Sequence, residues 1–344
     1  MSSSASSGDW ETASESEAPR SGPAGVVAIE YAPADEEALA RARALLAAGD
    51  VSAAAQDAAT EAIGVNPADY GSWQLRWRCT EAAAREAGPA AERVWLAERG
   101  FADAMAARMP KNYQVWNHRR KVVGALGGRW VDEDLAGTEG LLASGDDAKN
   151  YHAWAHRQAL VAAFGRWDGE LEVCDRLLAQ DVRNNSAWSH RAFVMARHPG
   201  HAAMGAEEWA ARVAAEVDYV AEQIRSAFYN ESAWGYLWGL STLPRVALTA
   251  LRGVPALAAE AIERYPGCPP ALSTLGLYLE ALAGELERAG DGERAGQARA
   301  RAREVAEGLR GSDAVRRFYW EQVWGALGGD GGDGGGGGAG GEGE

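Results

Sequence analysis

The chain has 344 residues, 47% of them hydrophobic, with a formal net charge of −15 at pH 7. That supply of apolar side chains is enough for a large buried core, while the negative charge argues against a nucleic-acid partner, which calls for a clustered basic surface. Three scattered cysteines, Cys79, Cys174 and Cys268, form no C-x-x-C pair and suggest neither a disulfide framework nor a zinc site.

In chain order, residues 1–24 are rich in Ser, Ala, Gly and Glu, and are expected to be disordered because they cannot bury enough apolar surface. They lack a basic n-region and an apolar h-region, so no signal peptide is expected, and no apolar run approaches membrane-spanning length. A soluble, cytoplasmic protein follows as the expectation. Val26 to Tyr31 is a short apolar run read as an extended arm. From about Asp35 to Gly325 helical patterns succeed one another. The tail, 326–344, is nearly all Gly with acidic residues and is expected to be disordered. Residues 25–325 therefore form the expected folded domain.

That domain is organised by a repeat. Lys111-Asn112-Tyr113-Gln114-Val115-Trp116-Asn117-His118-Arg119 recurs as Lys149-Asn150-Tyr151-His152-Ala153-Trp154-Ala155-His156-Arg157, and again from Asn184 to Arg191. Weaker copies lie at Asp69 to Trp73 and at Asn230 to Trp234. In all five an Asn or Asp stands four residues before a Trp, and the Trp intervals are 43, 38, 34 and 46 residues. Such a period indicates a solenoid with one supersecondary unit per repeat. The central unit reads as a helical hairpin. Its first helix spans Tyr151 to Phe164 and ends at Gly165; its second opens at Asp168 as N-cap and carries a stripe of Leu171, Cys174, Leu177 and Leu178. Beyond His198-Pro199-Gly200-His201, and through Pro244, Pro266, Pro269 and Pro270, the repeat is expected to decay into capping units.

Within a copy, the Trp is expected to pack between hairpins and the Asn to fix the turn into the first helix. The repeated His-Arg pairs invite a metal reading. Successive copies are displaced along a solenoid axis, however, so structural hydrogen bonds are expected instead, with Arg on turn carbonyls or neighbouring acids. A lysine at a helix start is by default a solvated surface group.

The Asn-Tyr-x-x-Trp-x-His-Arg repeat resembles that of protein prenyltransferase α subunits, in particular the α subunit shared by protein farnesyltransferase and protein geranylgeranyltransferase type I. The resemblance covers roughly residues 25 to 325. It implies an all-α fold, a right-handed superhelical crescent of helical hairpins. It also implies an enzyme subunit that, with a β subunit, transfers farnesyl or geranylgeranyl from its diphosphate to the Cys of a C-terminal CaaX motif. By the same resemblance Lys111 is catalytic, reaching the isoprenoid diphosphate, and Gln114 binds the peptide carboxylate. Tyr113, Tyr70, Lys149, Asn150, Tyr151 and His152 belong to the substrate-binding face. Zn2+ is implied in the β subunit and Mg2+ in the assembled enzyme, with none held by this chain. The arrangement is chemically reasonable, since helix starts favour anions and Gln can donate to a carboxylate. Two departures stand out: Gln74-Leu75-Arg76 follows the first Trp, and Gly235-Tyr236-Leu237 the fifth. The alternatives are the α subunit of Rab geranylgeranyltransferase, which usually carries extra domains, and a non-catalytic helical-repeat adaptor.

Overall fold

The computed structural model describes residues 31–320 and Gln322. The segments 1–24 and 326–344, and all of the apolar run 26–31 except Tyr31, lie outside the described residues. Among the described residues every regular element is helical. Fifteen α-helices follow in order: α1 (Pro33–Ala48), α2 (Ala53–Val65), α3 (Tyr70–Ala87), α4 (Ala91–Arg108), α5 (Tyr113–Leu126), α6 (Arg129–Leu142), α7 (Tyr151–Phe164), α8 (Glu170–Gln180), α9 (Asn185–Arg197), α10 (Pro199–Ala203), α11 (Ala206–Ser226), α12 (Glu231–Leu240), α13 (Val254–Arg264), α14 (Pro269–Arg288) and α15 (Gly292–Ser312). The chain divides into two compact units, Met1–Ala82 and Ala83–Glu344.

In the first unit, Ser52 caps α2 by accepting a hydrogen bond from the Ala55 N–H. Ala55, Ala59 and Ala62 then fall on one face and let α2 close on Leu39 and Ala42 of α1, with Leu75 and Cys79 completing the core. Arg76 is buried and donates from Nη1 to Thr60 Oγ1 at 2.6 Å. It stands three residues after Trp73, as Arg119 stands after Trp116. The first copy therefore keeps the repeat's Arg, replacing its Asn by Asp69 and its His by Leu75.

The second unit is a stack of helical hairpins in which α5, α7, α9, α12 and α14 pack successively on one another. Three sets of hydrogen bonds explain why one short motif suffices to build it. First, each Asn caps its helix: Asn112, Asn150 and Asn184 each accept from the N–H groups two and three residues on. Second, each Trp indole N–H donates to a carbonyl six residues back, Trp116 to Pro110, Trp154 to Ala148, and Trp188 to Val182, at 2.7–2.9 Å. Third, that same carbonyl accepts from the Asn amide of the next repeat: Asn150 to Pro110, Asn184 to Ala148, and Asn230 to Val182. One carbonyl thus stitches each turn to its own helix and to the next hairpin.

The His-Arg pairs form a buried ladder between hairpins. Arg157 makes a two-pronged contact to Glu170, at 2.9 and 2.6 Å, and also donates to the Leu135 carbonyl. The other side of Glu170 takes His190 Nε2 at 2.6 Å. Asp134 likewise joins Arg119 (2.8 Å) to His156 (2.5 Å), and Glu216 joins Arg191 (2.7 Å) to the Tyr236 hydroxyl (2.6 Å). At the start of the series Glu98 meets His118 at 2.5 Å. The Tyr236 that breaks the motif in the fifth copy therefore replaces the His as donor to the same kind of carboxylate. Burial alone would raise the Asp134 carboxyl, but the His156 hydrogen bond and the Arg119 guanidinium outweigh it and hold it at about 2. Burial pushes His156 below its ordinary value, so it donates as neutral imidazole. Its Nδ1 has no partner, which a buried imidazolium would tolerate poorly.

Two expectations need correction. Asp168 does not cap α8: Gly169, in the left-handed region at φ 82°, precedes the helix, and no side chain caps it. On α8, Val173, Cys174, Leu177 and Leu178 are buried whereas Leu171 is only partly so. At Pro266–Pro270 the repeat's letters decay as expected, but the packing of the hairpins continues. Cys268 occupies the Asn position before α14, and its Sγ donates to the Phe228 carbonyl, which also takes the Trp234 indole. Buried Leu272 stands where the Trp would be. This sixth copy keeps the architecture after losing every letter of the motif.

Candidate functional site

The capped first turns of α5 and α7 build the site. Because successive helical residues are about 100° apart, one capped turn aims its neighbours in opposite senses. The residue after each Asn points outward: Tyr113 is 58% exposed and Tyr151 72%. The next points inward: Gln114 is 5% exposed, and His152 is half-buried. His152 lies edge-on to both phenol rings, with centroids at 6.1 Å from Tyr113 and 5.5 Å from Tyr151. These residues, with Trp116, Asn117 and Arg120, enclose a shallow pocket of about 110 Å3.

Gln114 is one of six side chains among the described residues with a buried polar atom that lacks a partner. Its side-chain Nε2 is buried and has no hydrogen-bond partner. An orphaned buried donor costs about 1–3 kcal/mol, a cost that a ligand's acceptor atom would offset. The two lysines also differ. Lys149 is paired with Asp181 at 3.5 Å, both partners being well exposed. Lys111 stands exposed in the preceding turn and joins none of the ion pairs found among the described residues. Asn150 is committed to the scaffold, accepting from His152 and Ala153 N–H and donating to the Pro110 carbonyl and Asp147. It enters the site by fixing where Lys149, Tyr151 and His152 stand. In the first unit, Tyr70 begins α3 and is 71% exposed; Asp69 caps its turn by accepting from the Ser72 N–H at 2.8 Å. Sequence reasoning overlooked Asn117 and Arg120, although they follow Tyr113 by four and seven residues, the spacing of one helix face.

All three cysteines are buried. Burial pushes the Cys174 thiol up to about 12, and raises Cys79 and Cys268 as well. Among the described residues no three His, Cys, Asp or Glu side chains converge on a metal-sized point. The ladder histidines His118, His156 and His190 each spend Nε2 on a carboxylate, so these residues do not fit a zinc ion. No helix among the described residues is long and apolar enough to cross a membrane.

Comparison with known proteins agrees with this geometry. The family model for the protein prenyltransferase alpha subunit repeat matches residues 95–126, 141–164 and 167–198. The first and third of these matches each contain one buried carboxylate–histidine bond, Glu98–His118 and Glu170–His190. The chain is 37% identical over 220 residues to the protein farnesyltransferase/geranylgeranyltransferase type-1 subunit alpha of Pisum sativum, covering 64% of this chain and 61% of that protein. It is 35% identical over 103 residues, 30% of each chain, to the subunit of the same name from Dictyostelium discoideum. The geranylgeranyl transferase type-2 subunit alpha of Rattus norvegicus is more distant, 24% identical over 55% of this chain and 25% of its own length. A chain of the solved Candida albicans protein geranylgeranyltransferase-I complexed with GGPP shares the fold. Its TM-score is 0.68 at 21% identity, covering 90% of this chain and 95% of that one. Three stretches of the chain thus match the protein prenyltransferase alpha subunit repeat, and the chain spans about three fifths of the length of the Pisum sativum relative it is similar to.

Proposed function

We propose that this chain is the α subunit of a heterodimeric CaaX protein prenyltransferase, moving farnesyl or geranylgeranyl from its diphosphate to a C-terminal Cys thiol. The observation that carries this reading is the buried, unpartnered amide of Gln114, one turn of chain from the unpaired charge of Lys111. An enzyme binding a carboxylate and a diphosphate has a use for both groups, the amide for the carboxylate and the ammonium for the diphosphate. The Rab-type α subunit is the less favoured relative, because its likeness reaches only a quarter of that protein's length.

In this reading Lys111 meets the leaving diphosphate. Negative charge grows on the departing oxygen as the C–O bond breaks, so the Lys111 ammonium binds the transition state more tightly than the substrate. Gln114 donates Nε2–H to the acceptor peptide's terminal carboxylate, whose charge is constant through the reaction. Tyr113, Tyr151 and His152 shape the wall between the two, and Lys149, paired with Asp181, stands near them at the start of α7; Tyr70, in the first unit, is proposed as a substrate-binding residue separately from these. Zinc, which activates the acceptor thiolate in this chemistry, and the assembled enzyme's Mg2+ are assigned outside this chain, the zinc to the β subunit. The proposed location is the cytoplasm.

The test is single-turnover kinetics on the complex with a β subunit, at saturating peptide. Lys111→Ala should slow prenyl transfer roughly ten- to a hundredfold, the worth of one charge-assisted hydrogen bond. Gln114→Ala should weaken peptide binding and leave the single-turnover rate nearly intact. An unchanged chemical step in Lys111→Ala would return that lysine to the solvated surface.

A further inference from the structure

Arg120 stands in the same pocket as Tyr113, Tyr151 and His152, yet nothing above gives it a role. Most neighbouring arginines are neutralised: Arg119 by Asp134 and Asp103, Arg129 by Glu92, and Arg166 by Asp132. Arg120 makes one polar contact instead, donating from Nη2 to the Asn117 side-chain oxygen at 3.1 Å. That contact keeps the full charge, since Asn is neutral. It also aims the charge. Helical side chains lean toward the helix N-terminus, and the bond to Asn117, three residues back, folds the guanidinium in that direction, toward Tyr113 and the start of α5.

The surroundings specify a ligand. No carboxylate lines this pocket, although acidic residues outnumber basic ones, 49 to 34, in the whole chain. The one buried carboxylate behind it, Asp134, is occupied by His156 and Arg119. Two phenol hydroxyls, an imidazole and a guanidinium are left around a space too small for an organic body. That is a set of donors for a compact group with several anionic oxygens. Arg120 lies seven residues beyond Tyr113, about 10 Å along α5 at 1.5 Å per residue, and Lys111 stands in the turn just before the helix, so two long side chains can reach a diphosphate from its two ends.

We infer that Arg120, oriented by Asn117, is a second cationic contact for the diphosphate, gripping it from the side opposite Lys111. This rests on the prenyltransferase reading. Arg120 is exposed, so its replacement leaves the fold intact. In the α–β complex, inorganic pyrophosphate serves as probe, measured as an inhibitor competing with the isoprenoid diphosphate. Arg120→Gln should weaken pyrophosphate inhibition about tenfold, flatten its salt dependence, and leave the peptide KM within about twofold. Arg120→Lys should recover part of the loss. Asn117→Ala, which frees the guanidinium without removing its charge, should give a smaller loss of the same kind. Unchanged pyrophosphate inhibition in Arg120→Gln, with an active wild-type complex, overturns the inference and spares the reading. A raised peptide KM with unchanged pyrophosphate inhibition also overturns it, by assigning Arg120 to the peptide carboxylate. A wild-type complex that transfers no prenyl group defeats the reading, and the inference with it.

Discussion

Glu170→Gln tests whether the buried ladder holds the hairpins together. The carboxylate is almost fully buried and accepts three hydrogen bonds: from Arg157 Nε at 2.9 Å and Nη2 at 2.6 Å, and from His190 Nε2 at 2.6 Å. Gln preserves the shape but has one acceptor oxygen. Placing that oxygen where it still meets Arg157 Nε and His190 puts the amide NH2 against Arg157 Nη2, donor to donor. Arg157 then keeps a full charge in the core with only the Leu135 carbonyl and one amide oxygen to compensate it. Removing one partner of a buried pair costs about 3–5 kcal/mol, since the remaining charge is stranded. Asp132→Asn is the control. It breaks the Arg166–Asp132 pair, in which both side chains are about half exposed, and should cost under about 1 kcal/mol. Urea unfolding followed by circular dichroism on the same preparation gives both values, provided the slopes agree. If the two variants lie within about 0.5 kcal/mol of each other, the ladder is not what couples the hairpins.

Two further outcomes follow from the same bonds. Stability should fall as pH drops below about 6.5. His156 has a lowered value in the folded state, so the unfolded chain takes up its proton first; that contribution is complete above 6.5 and lost on acidification. Asp134, displaced from 3.8 to about 2 by its His156 and Arg119 partners against the cost of burial, adds about 2 kcal/mol that disappears between those values. A Tm that stays flat from pH 7.5 down to 5 would contradict the neutral, buried His156. At the turns, Trp154→Phe and Asn184→Ala each remove one of the two donors to the Ala148 carbonyl, and each should cost about 1–2 kcal/mol. The double variant leaves that carbonyl without either donor, so a double-mutant cycle should show about 1 kcal/mol of coupling; strict additivity would mean that water replaces the second bond freely.

The sequence by itself determined the repeating unit, because the physics of that unit is local. An Asn that caps its own helix, a Trp that reaches the carbonyl six residues back, and a Gly165 that ends α7 in the left-handed conformation at φ 65° all act within a few residues. They are therefore legible as spacing. The same locality places Lys111, Tyr113 and Gln114 on one turn, but what named them as candidates was the resemblance of the repeat to prenyltransferase α subunits, not their spacing. What crosses between hairpins was not legible. The carboxylate partners Glu98, Asp134, Glu170 and Glu216 lie 20 to 22 residues before the His or Tyr they meet, on helices whose own sequences do not repeat. Only tertiary packing showed that Tyr236 does the work of a His, and that Cys268 takes the place of an Asn at a carbonyl forty residues away. Packing also separated the two site lysines, giving Lys149 an acid partner in Asp181, and left the Gln114 amide buried and unmatched. A motif records which groups a residue can offer; which of them remain unspent depends on neighbours that folding brings from elsewhere in the chain.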